Sequence, residues 1–483
     1  MNYKMIRYTL GWLLLFETAF FLIPVLTGLA YTEKATLSFL WSMLISGAVG
    51  TLFVIKKPRD TTLYAKEGFL IVALSWISLS IFGSLPFMFS GVTDSFVDAL
   101  FETASGFTTT GASIFDAKNP VDALPKCILM WRSFTHWVGG MGVLVFVMAF
   151  LPLGGAHNIN IMKAESPGPS VSKLVPRVKT TALILYVIYF ALTLVQFILL
   201  LFGGIGVFES LNIAFATAGT GGFGIHGDSF ASMPSYVQIV TCVFMLLFSI
   251  NFGSYYLAIK GKLKDAFNTE IKVFIVIVLV AIGLITADTL ISDVFSGFGE
   301  ALKHSSFTVA SIISTTGFAS ADFNLWNNLS KTVIVMLMFI GACAGSTGGG
   351  IKVSRIIILV KGMFRELKMS LHPRQVKKIS IDKRKVDHEV VRSVNAYIIC
   401  FIVVFAISSL CLSFEETDLV TNFTAVSATM NNIGPGLSGV GPMESFAGFT
   451  PFSKLVLTFD MLAGRLELFP MLILFSPSTY KKQ

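Results

Sequence analysis

A chain of 483 residues that is 54% hydrophobic and 13% charged, with a mean hydropathy of +0.75, carries about half the charge of a soluble domain. That excludes a soluble enzyme, a disordered chain and a collagen-like repeat. The net charge of +8 needs no nucleic acid to explain it, because the basic residues gather in alternate polar connections between long apolar runs.

A span needs about 20 mainly apolar residues, and the pattern predicts ten, at 8–31, 35–55, 68–91, 127–154, 181–207, 235–259, 273–292, 332–360, 393–414 and 452–476. The expected fold is therefore an all-α polytopic membrane protein. The first run follows Lys4 and Arg7, contains Glu17 and Pro24 and lacks a small-residue cleavage site, so it reads as a retained helix, with Glu17 paired inside the bundle. Basic residues fill one set of connections: Lys56 to Lys66, Lys163 to Lys179, Lys260 to Lys272 and Lys352 to Arg392. The alternate connections are acidic, with Asp94, Asp98, Glu102, Asp116 and Asp122, then Glu209 and Asp228, then Asp288, Asp293, Glu300 and Asp322, then Glu415, Glu416, Asp418 and Glu444. An even number of spans and this asymmetry put both termini in the cytoplasm. Cys127, Cys242, Cys343, Cys400 and Cys411 lie in or beside apolar runs without CxxC spacing, which suggests buried thiols rather than disulfides or a zinc site.

After the first two spans one pattern recurs four times: an apolar helix, a semi-polar stretch that begins with a segment too short to span, a second apolar helix and a basic loop. The copies occupy 63–160, 176–262, 266–365 and 391–483, with a basic linker at 366–390. Each short segment breaks at glycine, as TTTGAS (108–113), GTGGFG (219–224), STTGFA (314–319) and NNIGPG (431–436). Aligning Gly111, Gly222, Gly317 and Gly434 places a small residue six positions earlier in every copy: Ser105, Ala216, Ser311 and Ala428. A short helix packed tightly among others wants that residue type.

Irregular backbone at membrane depth is tolerated only where protein buries it or water reaches it. Glycine lets such backbone turn its carbonyls toward a common axis, and four such turns make a ring that can replace the hydration shell of a monovalent cation. The acidic outer mouth would concentrate cations. Broken helices also serve transporters of other solutes, but those repeats often run inverted, whereas all four copies here share one orientation. An intramembrane enzyme would need convergent catalytic groups, and no HExxH, GxSxG or aspartate pair occurs in the spans.

The eighth span contains Gly345, Ser346, Thr347, Gly348, Gly349 and Gly350, a run that cannot stay helical without a large propensity cost, so a loop is expected inside the membrane. It is not a phosphate cradle, because Ile351 separates Gly350 from Lys352. Arg465 lies in the middle of the last span, where an ionisable residue is a functional candidate. Its possible partners are Glu467, Asp460 and carbonyls of the glycine loop. A positive charge just below a cation filter would impede ions; the alternative is a salt bridge holding two helices together. Arg132 reads mainly as structural support, while His136 and His226 are either pH sensors or satisfied structural histidines.

On the four glycines, on WRSFTHWVGGMGVLVF (131–146), on GACAGSTGGGIKVSR (341–355) and on GRLELF (464–469), the sequence resembles the Trk/Ktr/HKT superfamily of potassium transporters, specifically its TrkH/TrkG branch. The resemblance covers nearly the whole chain. It implies that residues 1–62 are the extra N-terminal helix pair of that branch, and that four pore units enclose one permeation path per chain. It further implies potassium coordinated by backbone carbonyls at Thr110 and Gly111, Gly221 and Gly222, Thr316 and Gly317, and Ile433 and Gly434. Gly345 to Gly350 become a flap beneath the filter and Arg465 a pore-blocking charge. The chain is expected to be a homodimer in a bacterial-type cytoplasmic membrane, with a cytoplasmic TrkA-type nucleotide-binding subunit docked on the basic linker and no cofactor of its own. Uptake is expected to be channel-like or coupled to another ion. The fourth copy departs from the pattern, since Asn431, Asn432 and Ile433 replace hydroxyl residues. An only approximately fourfold pore follows, while Gly111, where sodium-transporting plant members carry serine, argues for potassium.

Overall fold

The computed structural model describes residues 1–60, 63–142, 178–372, 378–382 and 384–480. The expected segment 143–154 and most of the basic connection after it lie outside the described residues, as do 373–377 of the linker.

The chain begins with a helical pair. Tyr3–Phe20 runs almost straight into Leu22–Ala30, and Thr36–Val54 returns beside them. The two antiparallel backbones approach closely because glycines face each other: a Cβ on Gly11 would lie 2.9 Å from the Gly50 carbonyl. Between apolar helices in lipid such small-residue contact is a main source of association, and a Thr18–Ser46 hydroxyl contact of 2.8 Å adds to it. The pair is fixed to the first copy. Glu33 accepts the N–H groups of Lys126 and Cys127 at 2.7 and 3.0 Å, satisfying orphan donors at the start of helix Lys126–Gly140. Trp131 packs among Phe21, Phe39 and Phe107 and donates its indole N–H to the Gly83 carbonyl at 3.0 Å. Glu17 is fully buried, and its carboxyl has no hydrogen-bond partner among the described residues. The expected pairing inside the bundle is therefore not met; Glu17 lies behind Gly83, where a Cβ would come within 3.0 Å of its oxygen.

Each copy contains its short helix: Phe96–Phe107, Val207–Gly219, Phe298–Ile313 and Leu419–Met430. Twelve to sixteen residues at about 1.5 Å per residue reach only part-way across a hydrocarbon core of about 30 Å. Every short helix packs between the helix that follows it and the corresponding helix of the preceding copy. Val207–Gly219 touches Lys126–Gly140 and Ser235–Phe248, while Phe298–Ile313 touches Ser235–Phe248 and Asn328–Phe339. Leu419–Met430 touches Asn328–Phe339 and Pro451–Arg465, and Phe96–Phe107 touches Lys126–Gly140 and Pro451–Arg465. The fourth copy thus returns onto the first.

Six described helices are long and apolar enough to cross a membrane, or seven if Ser235–Phe248 and Phe252–Ile259 count as one broken span. Ten spans were expected, the eighth of them interrupted by the glycine loop. Part of the difference lies outside the described residues, at 143–154, and part in helices that follow the short ones, two of which are broken away from the glycine loop. Ser235–Phe248 turns by 90° into Phe252–Ile259, where Asn251 caps the second piece by accepting from the Gly253 N–H at 2.7 Å. Pro451–Arg465 stops before Phe469–Leu474, with left-handed backbone at Glu467 and Leu468; Pro470 has no N–H to continue the ladder. The expected all-α fold also holds one two-stranded antiparallel ribbon in the linker, pairing Ser380 with Lys385 and Ile381 with Arg384. It is seated by Ile379, buried against Ile358, Val391 and Val394.

Candidate functional site

The four breaks share one local geometry. At the end of each short helix the N–H of the residue before the glycine returns to the carbonyl five residues back: Thr110 to Ser105, Gly221 to Ala216, Thr316 to Ser311 and Ile433 to Ala428, all at 2.8 to 2.9 Å. The preceding N–H bonds three residues back, as from Thr109 to Gly106 and from Thr315 to Ile312. Together these form a Schellman cap. Its left-handed position is taken not by glycine but by Thr109, Thr220, Thr315 and Asn432, with φ of 57°, 55°, 59° and 54°. A left-handed β-branched residue is an outlier, and three of the four are threonine. Two residues later Gly111, Gly222, Gly317 and Gly434 have φ of 81°, 78°, 86° and 98°.

The breaks abut one another in chain order. A Cβ on Gly111 would overlap the Gly221 carbonyl, one on Gly222 the Thr316 carbonyl and one on Gly317 the Ile433 carbonyl. One on Gly434 would come 2.7 Å from the Thr110 carbonyl, closing the circle. In every copy the glycine therefore faces the carbonyl of the residue that precedes the next copy's glycine. Glycine is required twice over, by its backbone angle and by the missing side chain. All four glycines line one vestibule of about 430 Å³. The short helices converge on this ring with their C-terminal ends, which carry partial negative charge.

The fourth copy meets the same geometry with different side chains. Asparagine tolerates left-handed backbone, and Asn432 uses its amide to reach the Thr110 hydroxyl and the Met461 carbonyl, both at 2.9 Å, tying copy four to copy one. The Ile433 side chain is buried in an apolar cluster with Leu337, Cys343 and Val353. In copies one and three hydroxyls brace the turn instead, Thr108 to Thr110 at 2.8 Å and Ser314 to Thr316 at 2.7 Å.

The glycine loop lies on the helix side of the ring. A Cβ on Gly348 would come 2.9 Å from the Ser314 carbonyl and one on Gly349 2.6 Å from that of Asn431, and the Gly349 N–H donates to the Thr315 hydroxyl at 2.6 Å. Lys352 turns its amine back onto the carbonyls of Gly348 and Gly349. Arg465 donates to the Thr347 carbonyl at 2.8 Å and to those of Gly139 and Gly140 at 2.5 and 2.7 Å. Of the expected partners it thus takes a loop carbonyl, and it adds the helix end of copy one. Glu467 pairs with Arg355, and Asp460 accepts from Ser408 at 2.6 Å. Arg465, Gly345 and Gly348 to Gly350 line a single cavity.

Several carboxylates expected at the acidic mouth are engaged by other groups of the protein. Glu102 is fully buried, 2.7 Å from Arg132, and also accepts the Ile114 N–H at 3.0 Å. Arg132 reaches on to the Gly224 carbonyl at 3.1 Å and the Ser113 hydroxyl at 3.2 Å. The pair consequently braces the backbone just beyond the first two breaks. Asp98 pairs with Lys454 at 2.6 Å. Asp418 caps the fourth short helix, and the Thr421 hydroxyl and N–H hold its carboxyl below the usual range. Asp116 and Glu444 line the vestibule. His136 donates through Nδ1 to the Gly106 carbonyl at 2.7 Å and accepts at Nε2 from the Phe223 N–H at 3.2 Å. With both ring nitrogens used, it joins the first short helix to the second break. His226 lies at the mouth, 3.1 Å from Asp122 and 3.7 Å from Glu209.

Residues 34–482 match the TrkH family of cation transport proteins. The chain belongs to that family. It is 33% identical to the Trk system potassium uptake protein TrkH of Salmonella typhimurium over 488 residues, covering both chains completely. It is 30% identical to the Trk system potassium uptake protein TrkG of Escherichia coli over 479 residues, 98% of each. Its fold superposes on the crystal structure of the potassium transporter TrkH from Vibrio parahaemolyticus with a TM-score of 0.89 at 32% identity, again over both whole chains. This TrkH-family chain is a helical multi-pass membrane protein that transports rather than catalyses. What sequence reading missed in it are the left-handed threonines and the Glu102–Arg132 pair. The register of Thr109, Thr220 and Thr315 two places before each glycine was the available signal for the first; nothing local pointed to the second.

Proposed function

We propose that this chain carries potassium into the cell through a ring of backbone carbonyls. The observation that supports this most is the closed circle of four breaks, each pressing its glycine against the carbonyl of the next copy. In this reading the carbonyls of Thr110 and Gly111, Gly221 and Gly222, Thr316 and Gly317, and Ile433 and Gly434 replace the ion's water. The copies 63–160, 176–262, 266–365 and 391–483 are four pore units around one path, with ten membrane-crossing segments in all and 1–62 as an added helix pair. The converging helix ends and the vestibule carboxylates of Asp116 and Glu444 favour a cation there.

Gly345 to Gly350 form the gate. The loop crosses the helix side of the ring, and Arg465 fastens it to the end of helix Lys126–Gly140 while adding a positive charge to the path. The chain acts as a homodimer in the bacterial cytoplasmic membrane with both termini inside. The linker 366–390 receives a nucleotide-binding TrkA-type subunit. The relatives' names, which specify potassium uptake by a Trk system, support potassium as the substrate.

The test is potassium flux in liposomes under a defined gradient, with sodium as competitor, for the unsubstituted chain and for Gly317→Ser. A fall in potassium preference is expected. An unchanged permeability ratio in a normally folded variant would sink the filter assignment.

A further inference from the structure

Helix Thr269–Ile291 begins with two consecutive residues that grip opposite sides of the cytoplasmic half of the protein. Thr269 donates its N–H and its hydroxyl to one carboxylate oxygen of Asp382, at 3.0 and 2.6 Å. Asp382 is the exposed, left-handed turn residue of the linker ribbon Ser380–Lys385, with φ of 49°. Glu270, next along the helix, is 8% exposed. Its Oε1 accepts the N–H of Ala344 at 2.8 Å and that of Ser354 at 3.1 Å.

Those two donors bracket the glycine loop. Ala344 immediately precedes Gly345, and Ser354 lies in the first turn of Val353–Leu371, where backbone N–H groups have no helical partner. One oxygen atom therefore holds the loop's entry and its exit together. The contacts from Arg465, Lys352 and Thr315 grip the loop's middle, whereas Glu270 alone in this set reaches both of its ends. Satisfying two otherwise orphaned amides from one buried carboxylate makes a strong hydrogen-bonded node, and removing it leaves the entry and exit to the backbone bonds from Gly341 to Ile351 and from Val353 to Ala342, at 2.8 and 3.3 Å.

We infer that the first turn of helix Thr269–Ile291 is a clasp: Glu270 positions the closed loop, and Asp382 positions Glu270 through Thr269. A displacement of the linker ribbon is in this way passed to the gate within two residues. The inference deepens the gate reading above and rests on it.

The test is basal potassium efflux from liposomes holding the full chain alone, measured for Glu270→Ala, Glu270→Gln, Asp382→Ala and Glu270→Ala/Asp382→Ala, beside deletion of Gly348 to Gly350. Losing hydrogen bonds to a charged acceptor should raise basal flux about tenfold in Glu270→Ala, with potassium preference over sodium unchanged. Glu270→Gln, whose amide oxygen still accepts two N–H groups, should restore low flux. Asp382→Ala should raise flux less, and the double variant should not exceed Glu270→Ala, because the two act in series. The clasp is overturned if Glu270→Ala leaves basal flux unchanged while the loop deletion raises it, or if Glu270→Gln leaks as much as the alanine variant. If the deletion itself raises nothing, the gate reading fails instead. Should Glu270→Ala not reach the membrane, Asp382→Ala at its exposed position carries the test, and an unaltered basal flux there severs the ribbon from the gate.

Discussion

Single residues do opposite jobs at each break. Thr109, Thr220 and Thr315 take a backbone conformation that costs a non-glycine residue about 1–3 kcal/mol, whereas the glycine two places on takes one that suits it. The strain is held because the cap hydrogen bonds and the neighbouring copies leave the chain no other course. Substituting the glycines should therefore be graded by space. On Gly317 a side chain meets the Ile433 carbonyl head-on, but on Gly434 the Thr110 carbonyl stands 2.7 Å away. Gly317→Ser should accordingly lose more potassium selectivity over sodium than Gly434→Ser, as read from reversal potentials or competitive flux. Equal losses would point to the backbone angle alone.

At the same scale, Arg465→Ala removes three hydrogen bonds to the carbonyls of Thr347, Gly139 and Gly140 and a positive charge from the proposed path. Unregulated potassium flux should rise; flux that falls at normal expression would make the arginine a purely structural tie. The glycines, the loop and Arg465 were all legible in the sequence, because each breaks a rule of its surroundings. The small residues six places before each glycine were legible too; Ser105, Ala216, Ser311 and Ala428 are all fully buried, and their backbone carbonyls also accept the N–H that closes the cap.

Among elements, the helices after the short ones were the hardest to read. Hydropathy sees 235–259 and 452–476 as unbroken, since a bend of 90° at Asn251 changes no residue's apolarity. Such breaks are set by where backbone donors find partners: the Phe252 N–H bonds the Gly345 carbonyl at 3.0 Å, an atom from another copy. The Glu102–Arg132 pair belongs to this level also, joining a short helix to the helix behind it across thirty positions. Glu102→Ala should destabilise the fold by about 3–5 kcal/mol, the cost of leaving a buried charge unpaired. Replacing both residues by apolar ones of similar size should cost less, with thermal unfolding in detergent as the measurement. Deleting Gly348 to Gly350, which removes the contacts with Ser314, Thr315 and Asn431, should raise basal flux without altering the vestibule.

For the molecule as a whole, the copies are arranged so that each short helix is held by two different units, and the N-terminal pair is fastened to the first through Glu33 and Trp131. Glu33→Ala removes both hydrogen bonds to the start of helix Lys126–Gly140 and should lower stability by about 1.5–3 kcal/mol. Selectivity should hold, because Glu33 is remote from the ring. A path that carries bare potassium is also driven by voltage, each unit charge gaining about 2.3 kcal/mol per 100 mV. Uptake into liposomes should therefore climb steeply with inside-negative potential, and voltage-independent uptake would indicate electroneutral exchange.

The sequence by itself determined that this chain lives in a membrane and where its short helices end at glycine, because apolar length and glycine placement act locally and survive in the order of residues. Tertiary structure alone decided that the interruptions meet, in chain order, around one vestibule. It also decided which charges are spent on holding them there. Closing a circle depends on the Thr110 carbonyl lying beside Gly434, more than three hundred residues away, and no local pattern encodes a contact whose partners are chosen by how whole helices pack.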